Sequence, residues 1–321
     1  MEVTVTLYNG YNDPNINLVD DLNKYAEKIL KQHNISIKHK DSAYLDYMRY
    51  LHRRIPIKPR NILKSDVFSC PLEYENALKS MEQKIENGSN LNPYLTKSID
   101  NGLFEDNLLN YWNIYHFHIT DKLDNRNSKF SARSNMLLLA IVNDETVYML
   151  QILPHNAENI WSRQEYLSIV HRNWPSLLGR CKIEGASIDQ VLTDKEMGVL
   201  QKAQVNTFVA IGNDLYMPMG GGEAGDGSPI NIVLKWNQIH NYLRRSEMIL
   251  RDDFWNITKE AGFDGLIDKT QVKLTLHSFE INKYVITIVE NSRLAYMLKY
   301  GRDKSITAIG YIDDIMDYMQ G

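Results

Sequence analysis

Three strand-length segments in the middle of the chain constrain its fold more than any other feature. Residues 112–120 alternate between polar and apolar side chains, residues 136–142 are continuously apolar, and residues 147–153 are again mostly apolar. A polar loop separates the first two segments, and residues 143–145 form a hairpin-type turn between the last two. Because connections of this kind join antiparallel strands, we expect a three-stranded antiparallel sheet here.

Segments with helical spacing and segments with strand spacing flank this sheet on both sides. The 321 residues are enough for one large domain or several small ones, since domains run to about 100–200 residues. We therefore expect an α+β protein, with a central antiparallel sheet flanked by helices and a second α+β domain at the C-terminal end. The expected division is a mostly helical, basic region at 1–102, the central sheet at 103–178 and the C-terminal domain at 179–321.

The composition is that of an ordinary globular protein. Hydrophobic residues make up 43% of the chain and charged residues 24%, which allows a sizeable core. The net charge of -4 argues against a basic coat over the whole surface, but not against a local basic patch. The two cysteines form no disulfide framework, and neither a signal-peptide pattern nor a run of about 18 apolar residues is present. We expect a cytoplasmic protein with no membrane partner.

Three histidines and one arginine lie on the predicted strands or at their ends. In strand geometry His116 and His118 point to the same face, while the residues between and beside them point to the other face. Arg133 stands just before the second strand, and His155 directly follows the third. Whether these groups meet depends on the strand register, which the sequence leaves open.

This set of side chains fits metal-free cleavage of RNA. One neutral imidazole takes the proton of a 2′-hydroxyl and a second protonates the leaving oxygen, because the pKa of histidine lies near the working pH. An arginine fork binds two phosphate oxygens. We predict His116 or His118 as base or acid, His155 as its counterpart, Arg133 as the phosphate ligand, RNA as the substrate and no cofactor.

The segments 133–142 and 147–155 resemble the toxin ribonucleases of the RelE/HigB type. The resemblance covers about residues 112–172 and consists of an arginine at a strand start, a turn, and a strand that ends near a histidine. It implies a small antiparallel sheet, Arg133 as a phosphate ligand and His155 as a proton-transfer group. It also suggests a toxin or phage-defence role. This chain is much longer and carries two further histidines on an extra strand.

A basic segment in the N-terminal region is the second candidate site. No acidic residue falls between Asp46 and Asp66, whereas arginine and lysine recur there and tyrosines precede them. Basic residues interleaved with aromatic ones suit a phosphate backbone with exposed bases. The alternative is a solvated helix end that runs into a proline-marked loop. The residues predicted to bind the RNA backbone are Arg53, Arg54, Lys58 and Arg60.

Other functions remain open for the histidines. A His-x-His strand with a third histidine can hold Zn, Fe or Mn, which is similar to a cupin site with His116, His118 and His155 as ligands. The segments 118–120 and 277–278 offer the two halves of a two-histidine phosphoesterase pattern. Histidines among aromatic residues are also often structural. The chain would then be a non-enzymatic binding or assembly protein. In either case the C-terminal domain offers a surface for a protein partner or inhibitor.

Local patterns add three further predictions. Capping-box sequences at 162–165 and 193–196 each predict a helix start. The loop 220–228 is rich in glycine but contains no lysine, and it matches neither a P-loop nor a dinucleotide fingerprint. We interpret this loop as a connector to a strand at 230–236, with a functional lid as the alternative.

Overall fold

The computed structural model describes residues 13–120, 122–186, 188, 191–268, 270–300 and 305–320. Within these ranges the α-helices are α1 (Leu18–Gln32), α2 (Ala43–His52), α3 (Glu75–Glu86), α4 (Asn107–Trp112), α5 (Glu165–Asn173), α6 (Asp194–Lys202), α7 (Ile230–Glu260) and α8 (Ile312–Gln320). The strands are β1 (Asn15–Ile16), β2 (Asn61–Lys64), β3 (Tyr115–His118), β4 (Met136–Val142), β5 (Thr146–Pro154), β6 (Lys182–Ile183), β7 (Val209–Ile211), β8 (Asp214–Tyr216), β9 (Lys273–Glu280), β10 (Tyr284–Val289), β11 (Leu294–Tyr300) and β12 (Ser305–Tyr311). This content confirms the α+β class. Among the described residues, no helix combines the length and the apolar character that crossing a membrane requires.

The chain divides into two compact units, each built from more than one segment. The central unit consists of Leu30–Lys40 and Leu45–Leu234. The terminal unit contains the residues up to Ile29, the segment Asp41–Tyr44 and the residues from Lys235 onward. The boundaries predicted at residues 102 and 178 fall inside the central unit, so the compact units do not follow the three consecutive segments.

A five-stranded sheet with the order β1-β9-β10-β11-β12 forms the terminal unit together with α8 and most of α1 and α7. Strands β9 and β10 form an antiparallel hairpin whose turn contains Asn282, with a φ of 62°. Strand β1 pairs parallel with β9, whereas the remaining neighbours pair antiparallel. Ile315 of α8 packs into a small core with Ile286 and Met297 of the sheet.

The central unit contains a four-stranded sheet with the order β2-β5-β4-β3. Strands β3, β4 and β5 pair antiparallel, as predicted. Strand β2 pairs parallel with β5 and is not predicted from the sequence, because Pro56, Pro59 and the basic residues around them favour a loop. The sheet is therefore mixed, and one of its strands comes from the N-terminal part of the chain.

The strand register places three strand ends side by side. His118 at the end of β3 pairs with Leu137, and Met136 at the start of β4 pairs with Pro154 at the end of β5. The backbone N–H of His155 then donates to the carbonyl of the residue before β4, Asn135, at 2.8 Å. The residues that leave β3, enter β4 and leave β5 therefore lie at the same end of the sheet.

Apolar cores cover both faces of this sheet. One core combines Leu137 and Leu139 with residues of α4, α5 and α6, and the other combines Phe117 with residues of α3. His116 and His118 pair with Leu139 and Leu137 and therefore share their face. The predicted alternation is confirmed, because Phe117 between the histidines belongs to the opposite core.

The two predicted capping boxes have different outcomes. At the start of α6, the hydroxyl of Thr193 accepts from the N–H of Glu196 at 3.2 Å, and the Glu196 carboxylate accepts from the N–H of Thr193 at 2.8 Å. The helix predicted to start at 162–165 is present as α5, but the capping box itself is not formed, since α5 begins without a side-chain cap. The hydroxyl of Ser162 instead donates to the carbonyl of Asp194 at 2.8 Å. This bond joins the turn before α5 to the first residue of α6.

The glycine-rich loop 220–228 leads into a helix. The strand predicted at 230–236 is wrong, because α7 begins at Ile230 and continues for 31 residues. The β-branched residues at the start of this segment favour a strand locally. The buried residues farther along, such as Trp236 and Ile239, follow helical spacing and decide the structure.

Backbone hydrogen bonds hold the loop 220–228 against the end of α4. The N–H groups of Gly220 and Gly222 donate to the carbonyls of Tyr111 and Asn110, both at 2.9 Å. A Cβ atom at Gly220 would lie 2.2 Å from the carbonyl oxygen of Asn110, whereas a Cβ atom at Gly225 would meet nothing within 4 Å. Only glycine fits at position 220 without a backbone shift.

We predict that Gly220→Ala destabilises the protein and that Gly225→Ala does not. The added methyl at 220 forces the loop away from α4, which costs about 1–3 kcal/mol as an overpacking effect. Gly225→Ala, the matched change in the same loop, should stay within about 0.5 kcal/mol of the wild type. Urea unfolding of both variants measures this difference. Equal free energies of unfolding would show that the loop does not need this close approach.

Candidate active site

A cavity of about 670 Å³ lies where the three strand ends meet. All four side chains predicted to be catalytic line it: His116, His118, Arg133 and His155. The first two lie on β3, Arg133 precedes β4, and His155 directly follows β5. The sequence does not determine whether these four side chains lie close together. The antiparallel register of the strands brings them into one cavity.

His118 is held in its neutral form. The side chain is only 4% exposed, and burial lowers its pKa to about 4, with further contributions from His116, His155 and Arg133. The N–H of Ser134 donates to Nδ1 of His118 at 3.3 Å, so the single ring proton of the neutral imidazole lies on Nε2. His118 is thus equipped to donate a hydrogen bond, as an uncharged group, to an oxygen in the cavity.

His155 lies beside His118 with its ring nearly parallel. The two ring centroids are 6.1 Å apart and the planes differ by 8°. Burial, the charge of Arg133 and the neighbouring His116 all lower the pKa of His155. A half-buried imidazole that stays unprotonated at neutral pH can accept a proton from a substrate.

His116 lies close to a buried carboxylate. Nδ1 of His116 is 3.7 Å from Oδ2 of Asp106, which is too long for a hydrogen bond, and among the described residues this nitrogen has no hydrogen-bond partner. Asp106 is fixed as the cap of α4, since its side chain accepts from the N–H of Leu109 at 3.2 Å. Asn113, with a φ of 56°, ends α4 and directs the chain into β3. A carboxylate behind an imidazole can orient the ring for proton transfer.

Exposed cations surround the cavity. A second cavity of about 580 Å³ shares His118 and Arg133 with the first one, and Lys122 and Arg126 line it. Lys195 and Lys202 of α6 line the histidine cavity itself. Within the described ranges, Lys122, Arg126, Lys195 and Lys202 form no ion pair. These unpaired charges suit a ligand with several phosphate groups.

The basic segment predicted to bind RNA has partners inside the protein. Arg53 is buried and donates to the carbonyl of Phe104 at 2.6 Å. Arg54 pairs with Asp100 and stacks on Tyr50, Lys58 pairs with Asp144, and Arg60 donates to the carbonyls of Asn143 and Pro56. None of these four cations lines the histidine cavity. Their placement differs from the predicted one because the helix end and the loop fold back on the central unit, where their charges satisfy carbonyl and carboxylate oxygens.

The alternatives that the sequence leaves open find less support in the geometry. In the described parts of the chain, no group of three or more His, Cys, Asp or Glu side chains is arranged to hold a metal ion. His277, the second half of the phosphoesterase pattern, lies on β9 in the terminal unit, and its Nδ1 contacts the hydroxyl of Ser278 at 3.2 Å. The cysteines Cys70 and Cys181 are both free.

Asp106, Trp161 and Gln201 are among the cavity-lining side chains that are not predicted from the sequence. A signal exists for Asp106, because an aspartate directly before an apolar helical run is a typical cap. Trp161 and Gln201 carry no local signal. They reach the cavity because the turn before α5 packs against α6, and this packing is a tertiary effect.

Comparison of the chain with protein-family models, with curated proteins and with solved structures gave no match. The resemblance to RelE/HigB-type ribonucleases stays a hypothesis. The functional argument therefore rests on the geometry of the cavity.

We predict that His118 makes the protein less stable in acid. Its folded-state pKa of about 4 lies below the ordinary value of 6.5, so the unfolded chain binds the proton first as the pH falls. The stabilising contribution is complete above about pH 6.5 and is lost progressively toward pH 4. Between pH 7.5 and 4.5 the wild type should lose about 2 kcal/mol more stability than His118→Gln, which cannot titrate. Urea unfolding at both pH values measures this difference, and parallel losses would contradict it.

Proposed function

We propose that the chain is a metal-independent ribonuclease of the cytoplasm, with a toxin-like or phage-defence-like role. The observation that carries this proposal is the convergence of three histidines and Arg133 in one cavity that unpaired cations surround. Two proton-transfer groups and a phosphate ligand are the minimum set for RNA cleavage without a metal.

The geometry supports a division of roles among the side chains. His155, unprotonated at neutral pH, takes the proton of the 2′-hydroxyl, and the 2′-oxygen attacks phosphorus. His116, with Asp106 behind it, protonates the 5′-oxygen as the P–O bond breaks. His118 donates from Nε2, and Arg133 donates from its guanidinium, to the non-bridging oxygens on which negative charge develops. The products are a 2′,3′-cyclic phosphate and a 5′-hydroxyl.

The first test is cleavage of a short RNA in excess chelator. We expect cleavage to persist, and His155→Ala and His116→Ala each to lower the rate by about 10²- to 10⁴-fold, since each removes a proton-transfer group. His171→Ala is the matched control. His171 lies on α5 against Tyr216 and does not line the cavity, so its loss should leave the rate unchanged.

Two results would overturn the catalytic assignment. Cleavage that the chelator abolishes would point to a metal ion. Full activity in His155→Ala and His116→Ala, in preparations whose thermal melting matches the wild type, would remove these histidines from the chemistry.

A specific observation favours the second candidate, a non-enzymatic binding or assembly protein. His116 and His118 are only 6% and 4% exposed, which is typical of structural histidines. This candidate predicts that the wild type cleaves no RNA and that His116→Ala melts well below the wild type. The same two measurements, cleavage and thermal melting, therefore separate the two candidates.

A further inference from the structure

One face of α6 forms part of the wall of the histidine cavity. Lys195, Gly198, Gln201 and Lys202 lie on this face at helical spacing. A Cβ atom at Gly198 would lie 2.9 Å from the hydroxyl oxygen of Ser162, so the glycine lets α6 approach the turn before α5. The helix and the turn thus form a continuous surface next to the catalytic groups.

Gln201 presents a buried donor without an acceptor. Its side chain is 2% exposed, and within the described part of the chain its Nε2 has no hydrogen-bond partner. A buried amide that lacks a partner destabilises the protein, so native structures rarely keep one without a reason. A ligand that places an acceptor atom in this part of the cavity would complete the hydrogen bond.

Trp161 presents an aromatic ring to the same cavity. Trp161 is 39% exposed and belongs to neither apolar core of the central sheet. Its backbone is nevertheless fixed, because the indole N–H of Trp112 donates to the carbonyl of Trp161 at 3.1 Å. The Trp161 ring stands edge-on to those of His116 and His155, with centroids 5.3 and 6.1 Å away. An exposed ring on a rigid backbone provides a surface on which another flat ring can stack.

We infer that Trp161 and Gln201 form a nucleobase subsite beside the phosphate-binding groups. The base stacks on the indole of Trp161, and a carbonyl oxygen or ring nitrogen of the base accepts from Nε2 of Gln201. This inference rests on the proposed function, because the phosphate of the same nucleotide reaches His118 and Arg133.

The cavity favours a nucleotide over an apolar ligand. Its volume of about 670 Å³ lies in the range of small-molecule sites, and a nucleotide needs both the aromatic surface and the cations. Lys195 and Lys202 place two exposed positive charges on the same helix face as Gln201. An aromatic side chain of a protein could also stack on Trp161, but it would leave these charges without partners.

The test measures binding of a 2′-O-methyl tetranucleotide, which cannot be cleaved, against an abasic tetramer of equal charge. We expect Trp161→Ala to weaken binding of the base-containing tetramer about 5- to 100-fold, as loss of a stacking aromatic does, and to leave the abasic tetramer unaffected. Trp161→Phe should retain most of the affinity. Phe208→Ala, which removes a 46% exposed aromatic outside the cavity, should change neither affinity.

Gln201→Leu gives an independent readout. It should weaken binding of the base-containing tetramer about tenfold, the effect of one hydrogen bond, while its melting temperature stays equal to or above that of the wild type. A purely structural glutamine would give the opposite result, with a lower melting temperature and unchanged affinity.

The outcomes separate the subsite from the ribonuclease proposal. Base-selective binding that depends on Trp161, without any cleavage of RNA, would support the subsite and overturn the ribonuclease. Cleavage of RNA combined with equal binding of both tetramers would overturn the subsite and leave the ribonuclease standing. A wild type that binds neither tetramer would overturn the subsite and favour a protein partner for this surface.

Discussion

The cavity depends on the backbone pairing of β3, β4 and β5. Side chains alternate between the two faces of a strand, so a slip of one residue in β3 would move His116 and His118 into the opposite core. An irregularity between Leu139 and Ala140 changes the β4–β5 register within the sheet. Beyond it, the pairing continues to the end where the N–H of His155 reaches Asn135. The positions of His116, His118 and His155 are thus a consequence of main-chain hydrogen bonds.

Burial then decides what the imidazoles can do. Burial is the largest cause that lowers the pKa of His118 and of His155, and the positive charge of the nearby Arg133 lowers both further. The rings of His118 and His155 are therefore uncharged at neutral pH, so they can act as a neutral donor and as an acceptor. The only carboxylate within ion-pair distance of a cavity histidine, among the described residues, is that of Asp106 beside His116. In the mechanism we propose, the proton-donating role is assigned to His116 because of this neighbouring carboxylate.

The sequence predicts those parts of the site that local rules control. Alternation along β3 predicts the shared face of His116 and His118, and the capping box at 193–196 predicts where α6 begins. Other parts of the site arise from tertiary packing, which leaves no repeating pattern in the sequence. These parts are the strand register, strand β2 and the approach of α6 to the turn before α5. The start of α7 is mispredicted for the same reason: β-branched residues favour a strand over a few positions, but burial of a longer helical face outweighs that preference.

The cations of the basic segment have partners that are distant in sequence, which a charge pattern alone does not show. Arg53 lies near Asp106 and donates a hydrogen bond to the carbonyl of Phe104. These contacts hold the chain in place just before α4. Asp106, the cap of α4, lies next to His116. Farther out, His39 bridges Asp46 and Asp226 at 2.7 and 2.6 Å and ties the glycine-rich loop to the same part of the central unit.

A buried acid completes this connection. Glu223 of the loop accepts from the amide of Asn110 on α4 at 2.6 Å, and burial raises the pKa of Glu223 to about 7. Burying polar and charged groups such as Glu223 and Asn110 is unfavourable unless each one forms a hydrogen bond. The hydrogen bonds between the loop and α4 therefore require both segments to stay in place. The charges of the N-terminal region therefore support the cavity histidines from behind, through α4. In the ribonuclease we propose, contact with the phosphates is left to the exposed cations around Arg133.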